Sequence, residues 1–213
     1  MKSCFIICCY LIFTVGLSAV IENQTNNPDS LQSSVLNILK EISREKVTEI
    51  ANDHLQNDDG FKAAIKYMKS AEWIKLIETI KVKPEWITLK DYINTFGIPI
   101  DTLIKRAEKF VQNVTITDIP ENTPRNLTSF ITDVEKVIQP AAILIKVTKL
   151  QSNPEMAKLM QQLKTPETKS KFDEALHIPE IKTVMEEFKK MGLCLHDLIS
   201  LIYYFLGWGE FKL

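Results

Sequence analysis

The feature that most restricts what this chain can fold into is a stretch written twice. Residues 84–110, PEWITLKDYINTFGIPIDTLIKRAEKF, return 95 positions later as residues 179–205, PEIKTVMEEFKKMGLCLHDLISLIYYF, with no gap. Pro84 and Glu85 fall on Pro179 and Glu180, Gly97 on Gly192, Leu103 and Ile104 on Leu198 and Ile199, and Phe110 on Phe205. Proline fixes φ near the helical value and lacks an N–H that the first turn could not use, so it suits a helix start. Glycine accepts the left-handed conformation that ends a helix. The stretch predicts helix, glycine stop, helix, twice over, and so an internal duplication.

The rest of the chain reads in parallel at the same offset. A first helix carries Val35, Leu36, Leu39 and Ile42, answered by Phe130, Ile131, Val134 and Val137. A second follows Ser43 with Val47, Ile50, Ala51 and Leu55; its copy starts at Pro140 and carries Ala142, Ile145 and Leu150. AILIKVTKL within that copy alternates like a strand, but its alignment with a clear helix outweighs the local pattern. The third helix has Phe61, Ala64, Ile65 and Met68 against Met156, Leu159, Met160 and Leu163. The fourth begins after Ser70 and Thr165, both good N-caps, with Glu72 and Glu167 where the helix dipole favours an anion. Each copy is thus six short helices, an all-α fold. Helices this short need neighbours to cover their apolar stripes.

Residues 1–19 read as a cleaved signal peptide: Lys2, an apolar run CFIICCYLIFTVGL, and a small-residue cut near Ser18 and Ala19. Residues 20–30 are a polar, disordered lead-in, 31–111 the first repeat, 112–125 a linker rich in Thr, Asn and Pro, and 126–210 the second repeat. The two repeats are expected to share one domain, given the short helices and short linker. Cleavage would leave Cys194 as the single cysteine, hence no internal disulfide, and would move the formal charge from −1 to −2. That balance offers no basic surface for nucleic acid. Asn23, Asn113 and Asn126 each begin an N-glycosylation sequon.

Chemistry is sparse. His54, His177 and His196 lack the spacing of metal ligands and are expected at the surface or at helix ends. Cys194 reads as a small apolar residue at a helix entry, with no base to activate it. No phosphate-binding loop, dinucleotide fingerprint, G-x-S-x-G or HExxH occurs, so no catalytic residue, metal or cofactor is expected. The final helix departs from its copy. Where the first has Lys105, Arg106, Glu108 and Lys109, the second has Ser200, Leu201, Tyr203 and Tyr204. A helix apolar nearly all round is either buried or meets a partner or a lipid surface, and both alternatives stand.

The segments VTEIANDHLQNDDGFKAAIKYMKSAEWIKLI and YINTFGIPIDTLI, with the second copy MAKLMQQLKTPETKSKFDEAL and FKKMGLCLHDLI, resemble the insect-allergen-related repeat proteins. That family includes the major cockroach allergen, midgut microvillar proteins of blood-feeding flies and nitrile-specifier proteins of caterpillars. The resemblance spans about residues 31–210. It implies two tandem six-helix repeats forming one compact, shell-like domain around an apolar cavity that holds fatty acids or phospholipids. It also implies secretion into the midgut lumen or association with its microvillar surface.

On that resemblance the cavity-lining candidates in the first repeat are Ile65, Met68, Ile77, Leu89, Ile93 and Leu103. In the second they are Met160, Leu163, Phe172, Val184, Phe188 and Leu198. The expected protein is a non-enzymatic lipid carrier, with the last helix available for a membrane surface or self-association. The caterpillar relatives imply an alternative, detoxification by diverting a reactive plant product. A ligand-free structural protein of the gut lining is the third reading, and periodicity alone does not separate a hollow core from a packed one.

Overall fold

The computed structural model describes residues 44–96, 100–138 and 153–212. Within them the chain forms ten α-helices and no strand. They are α1 (Arg44–Asn57), α2 (Asp59–Met68), α3 (Ala71–Lys81), α4 (Pro84–Asn94) and α5 (Ile100–Asn113), then α6 (Thr128–Ile138), α7 (Pro154–Leu163), α8 (Pro166–Leu176), α9 (Pro179–Lys190) and α10 (Leu195–Leu206).

Four helix starts, Asp59, Ala71, Pro84 and Ile100, recur 95 residues later as Pro154, Pro166, Pro179 and Leu195. The starts follow local chemistry. The Asp58, Ser70 and Thr165 side chains accept from the N–H of Phe61, Trp73 and Thr168. Each satisfies a donor that a helix leaves orphaned. Pro84 and Pro179 open α4 and α9 with no side-chain cap, their own missing N–H removing one orphan. After α9, Gly192 takes φ +89, the left-handed turn expected of the repeated glycine. Gly97, the expected first helix (Val35 to Ile42) and the segment from Pro140 to Leu150 lie outside the described residues.

The two halves interlock reciprocally. α3 packs on α9 and α4 packs on α8, and since α8 and α9 start 95 residues after α3 and α4, the two contacts are equivalent across the offset. The first contact is aromatic: Trp73 stands edge-on to Phe188, with centroids 5.5 Å apart. The second pairs Leu89 and Ile93 with Ala175 and Ile178, and a 2.7 Å hydrogen bond joins Tyr92 Oη to Thr168 Oγ1. Lys83 Nζ, at the head of α4, reaches Glu180 Oε1, at the head of α9, at 2.9 Å. A third cross-contact sets α1 against α6.

The tail completes the fold. Gly207, at φ +73, turns the chain back at the end of α10, and the Trp208 N–H bonds Tyr203 O at 2.8 Å. Trp208 and Phe211 then cover the Tyr203 ring, with centroids 5.1 and 5.0 Å away. Tyr203 stands where the first copy has Glu108, yet it is 1% exposed. The apolar back of the last helix is therefore partly covered by the chain's own tail. Its far end is not: Tyr204 is 81% exposed.

Candidate functional site

Apolar side chains gather in three clusters among the described residues. The first lies between α1, α2, α6 and the turn after α9, centred on Phe61, Ala64, Val134 and Met191. The second joins α10 and the tail, with Met160, Leu163 and Phe172 half-buried against it. The third sits between α4 and α8. Phe172 and Ile181 border both the second and the third.

The lining candidates distribute over all three clusters. Ile65 and Leu198 are buried in the first, where Met68 and Phe188 lean on it half-buried. Leu89 and Ile93 are buried in the third. Met160, Leu163 and Phe172 are half-buried at the second. Ile77 and Val184 are half-buried outside the cluster cores, and the Leu103 side chain lies outside the described set. Ile74, Ile87, Phe110 and Phe205 are exposed on the same helices. Phe110 and Phe205, equivalent across the duplication, are exposed to nearly equal extents, 41% and 42%.

Polar groups are concentrated at the seams. His54 is a helix-end residue, as expected, in the last turn of α1, but it is not at the surface: it is only 6% exposed. Its ring lies between Phe61 and Phe130, each 5.6 Å away. Nδ1 is 2.9 Å from Asp58 Oδ2, and Nε2 is 3.1 Å from Asp133 Oδ2 on α6. Ser129 donates to the same Asp58 oxygen. Burial works to raise the Asp58 carboxyl, but hydrogen bonds from Ser129, the Phe61 N–H and His54 hold it below the usual range. The Asp133 carboxyl is lowered by Lys136 and His54. The order of contacts matters chemically. The serine bonds the aspartate rather than the imidazole, so no hydroxyl is presented to a base here. The trio ties α1 to α6.

A second seam runs through the linker's end. Arg125 stacks on the Tyr67 ring with its carbon 3.8 Å from the centroid, and its NH1 lies 2.9 Å from Glu187 Oε2. Glu187 is buried and also holds Lys190 at 2.6 Å. Lys190, more than opposing burial and assisted by Arg125, keeps its carboxyl low. At α8, Tyr203 donates to Asp173, which also holds Lys169 at 2.5 Å. Burial first, and then that carboxylate, push the phenol well above its ordinary value. His177 caps α8, with Nδ1 2.6 Å from Asp173 O, and His196 is exposed in the first turn of α10. Cys194 is half-buried immediately before α10.

No group of three His, Cys, Asp or Glu among the described residues is placed to hold a metal ion. No described helix is long and apolar enough to cross a membrane. A groove of about 680 Å³ lies beside the linker, lined by Lys66, Lys69 and residues 112–119. It is polar, with the Lys69 ammonium spent on Gln112 O at 3.1 Å and Val114 O at 2.7 Å.

A family model described as insect allergen related repeat, nitrile-specifier detoxification matches residues 30–199. The chain belongs to the insect allergen related repeat family. The match spans both copies of the doubled stretch as far as the middle of α10. No curated protein and no solved structure matches the chain. Two features of this family member were not visible in its sequence. One is the Asp58–His54–Asp133 bridge, of which only the four-residue spacing of His54 and Asp58 gives a hint. The other is the clasp of Arg125 on Tyr67 and Glu187, which joins residues far apart in the chain.

Proposed function

We propose that this chain is a secreted, non-enzymatic binding protein of the insect midgut. In this reading two six-helix repeats enclose an apolar space that holds a fatty acid or phospholipid. One observation carries the reading. Of the eleven lining candidates whose side chains are described, only Ile65, Leu89, Ile93 and Leu198 are buried; Met68, Ile77, Met160, Leu163, Phe172, Val184 and Phe188 are half-buried. A close-packed core buries its stripe residues against one another. Stripes left half-covered retain apolar surface that an acyl chain can cover, at about 0.8 kcal/mol per buried methylene. Methionines on that surface suit chains of varied shape.

The test is thermal. A ligand that binds only the folded form raises the melting temperature. Complete solvent extraction should lower it, and adding back a long-chain fatty acid should restore it. An unchanged transition after both steps would remove the lipid reading and leave a dry, ligand-free structural protein. The exposed Tyr204 and Phe205 are the part of α10 that would meet a membrane surface or a second copy.

The family description itself favours a second reading, detoxification of the nitrile-specifier kind. Incubation with a glucosinolate and a plant thioglucosidase separates the two: nitrile product would support it, and its absence beside bound lipid would not.

A further inference from the structure

We propose that Asn113 carries an N-linked glycan on this chain and that Asn126, an equal match to the sequon, does not. This rests on the secretory routing proposed above. The reaction needs a lipid-pyrophosphate-linked oligosaccharide as donor. The amide nitrogen of Asn113 bonds to the donor's anomeric carbon, the bond from that carbon to the pyrophosphate oxygen breaks, the lipid pyrophosphate leaves, and the nitrogen gives up one proton. Transfer happens on the extended chain, so the fold acts afterwards as a filter: a glycan persists where folding can close with it in place.

Asn113 meets that condition. It is the last residue of α5, and it and Thr115 are exposed. The backbone on either side is fixed, since the Lys69 ammonium donates to Gln112 O and Val114 O. The asparagine therefore stands at a held corner on the rim of the open groove, and its side-chain amide bonds to no other group among the described residues.

Asn126 is exposed as well, so accessibility does not separate the two sites; packing does. Its N–H donates to Gly60 O at 3.0 Å, and its Oδ1 accepts from the Thr128 N–H at 2.8 Å. A Cβ placed on Gly60 would lie 3.0 Å from Asn126 Cβ, and one on Gly192 would lie 3.5 Å from Asn126 Oδ1. Leu127 between them is buried and donates to Met191 O at 2.8 Å. This sequon is threaded into the seam where the start of α2 meets the turn after α9. A glycan there would hold the seam open, and chains carrying one would not close.

The experiment expresses the full chain in insect cells and reads each site by peptide mass spectrometry after enzymatic deglycosylation in heavy-oxygen water, which marks every occupied asparagine as aspartate. The expected result is a mark on Asn113 and none on Asn126 in protein from the medium. Asn113→Gln and Thr115→Ala should each remove the Asn113 glycan, Thr115→Ser should keep it, and Asn126→Gln should leave the Asn113 mark in place on the secreted protein. Secreted protein unmarked at Asn113, or marked at Asn126, would overturn the site assignment alone. Chain that stays in the cytosol unmodified would overturn the routing, and the proposal with it.

Discussion

Tyr203 donates its phenolic hydrogen to Asp173, and the two residues sit 95 positions beyond Glu108 and Glu78. In the first copy the corresponding carboxylates are bridged by Lys81, 2.6 Å from Glu108 and 2.7 Å from Glu78. One junction, between α3 and α5 in the first copy and α8 and α10 in the second, is thus built in two ways: a partly exposed ionic bridge, and a buried phenol on a half-buried carboxylate, roofed by Trp208 and Phe211. The tail covers the ring that stands in place of the first copy's carboxylate.

Tyr203→Phe should cost about 1–3 kcal/mol, the range for a hydrogen bond to a charged group, with Asp173 keeping Lys169 as its partner. The phenol's value is raised by folding, so its contribution is complete below its unfolded value of about 10 and is lost as pH rises through the folded one. Chemical denaturation at neutral and strongly alkaline pH checks both. The wild type should lose stability at high pH more steeply than Tyr203→Phe.

Acid acts through other groups. Asp58, Asp133, Asp173 and Glu187 all have depressed carboxyl values in the fold. A depressed carboxylate stabilises the fold above its unfolded value, about 4, and that contribution disappears as pH falls through the folded one. The melting temperature should therefore drop on acidification from neutral pH to below about 4. His54→Ala should flatten part of that dependence, because it removes a partner of both Asp58 and Asp133. At neutral pH the same variant should be destabilised by about 2–4 kcal/mol, mainly through the void beside Phe61 and Phe130, since Asp58 keeps Ser129 and the Phe61 N–H and Asp133 keeps Lys136.

Gly192 and Gly207 share a left-handed backbone but not their surroundings. A Cβ on Gly192 would fall 2.3 Å from Thr128 Oγ1, whereas one on Gly207 meets nothing within 4 Å. Gly207→Ala should cost about 1–2 kcal/mol, the strain of that conformation alone. Gly192→Ala should cost more, and Thr128→Ala in the same chain should recover the excess. Urea denaturation of the three variants measures the difference. Equal losses at the two glycines would show that the seam tolerates the added carbon.

The helical plan was legible because its signals are local. Ser70, Thr165, Pro84 and Pro179 mark helix starts by side-chain and ring chemistry that needs no tertiary partner, and the 95-residue offset transfers each reading to its copy. What was hidden depends on distance in the chain. His54 looks like a solvated helix-end residue until α6 brings Asp133 to its other nitrogen. Tyr203 looks like a membrane-facing or interior residue until the tail folds back over it. The lining candidates are partway between: periodicity placed them on apolar stripes, but how far each stripe is covered depends on how α3 meets α9 and α4 meets α8.

We propose that those half-covered stripes enclose lipid. Mass spectrometry of a solvent extract from the protein purified under native conditions from insect-cell medium tests it most directly. The expected result is fatty acid or phospholipid in stoichiometric amount. An extract without lipid, from protein that is folded and monodisperse, would contradict it.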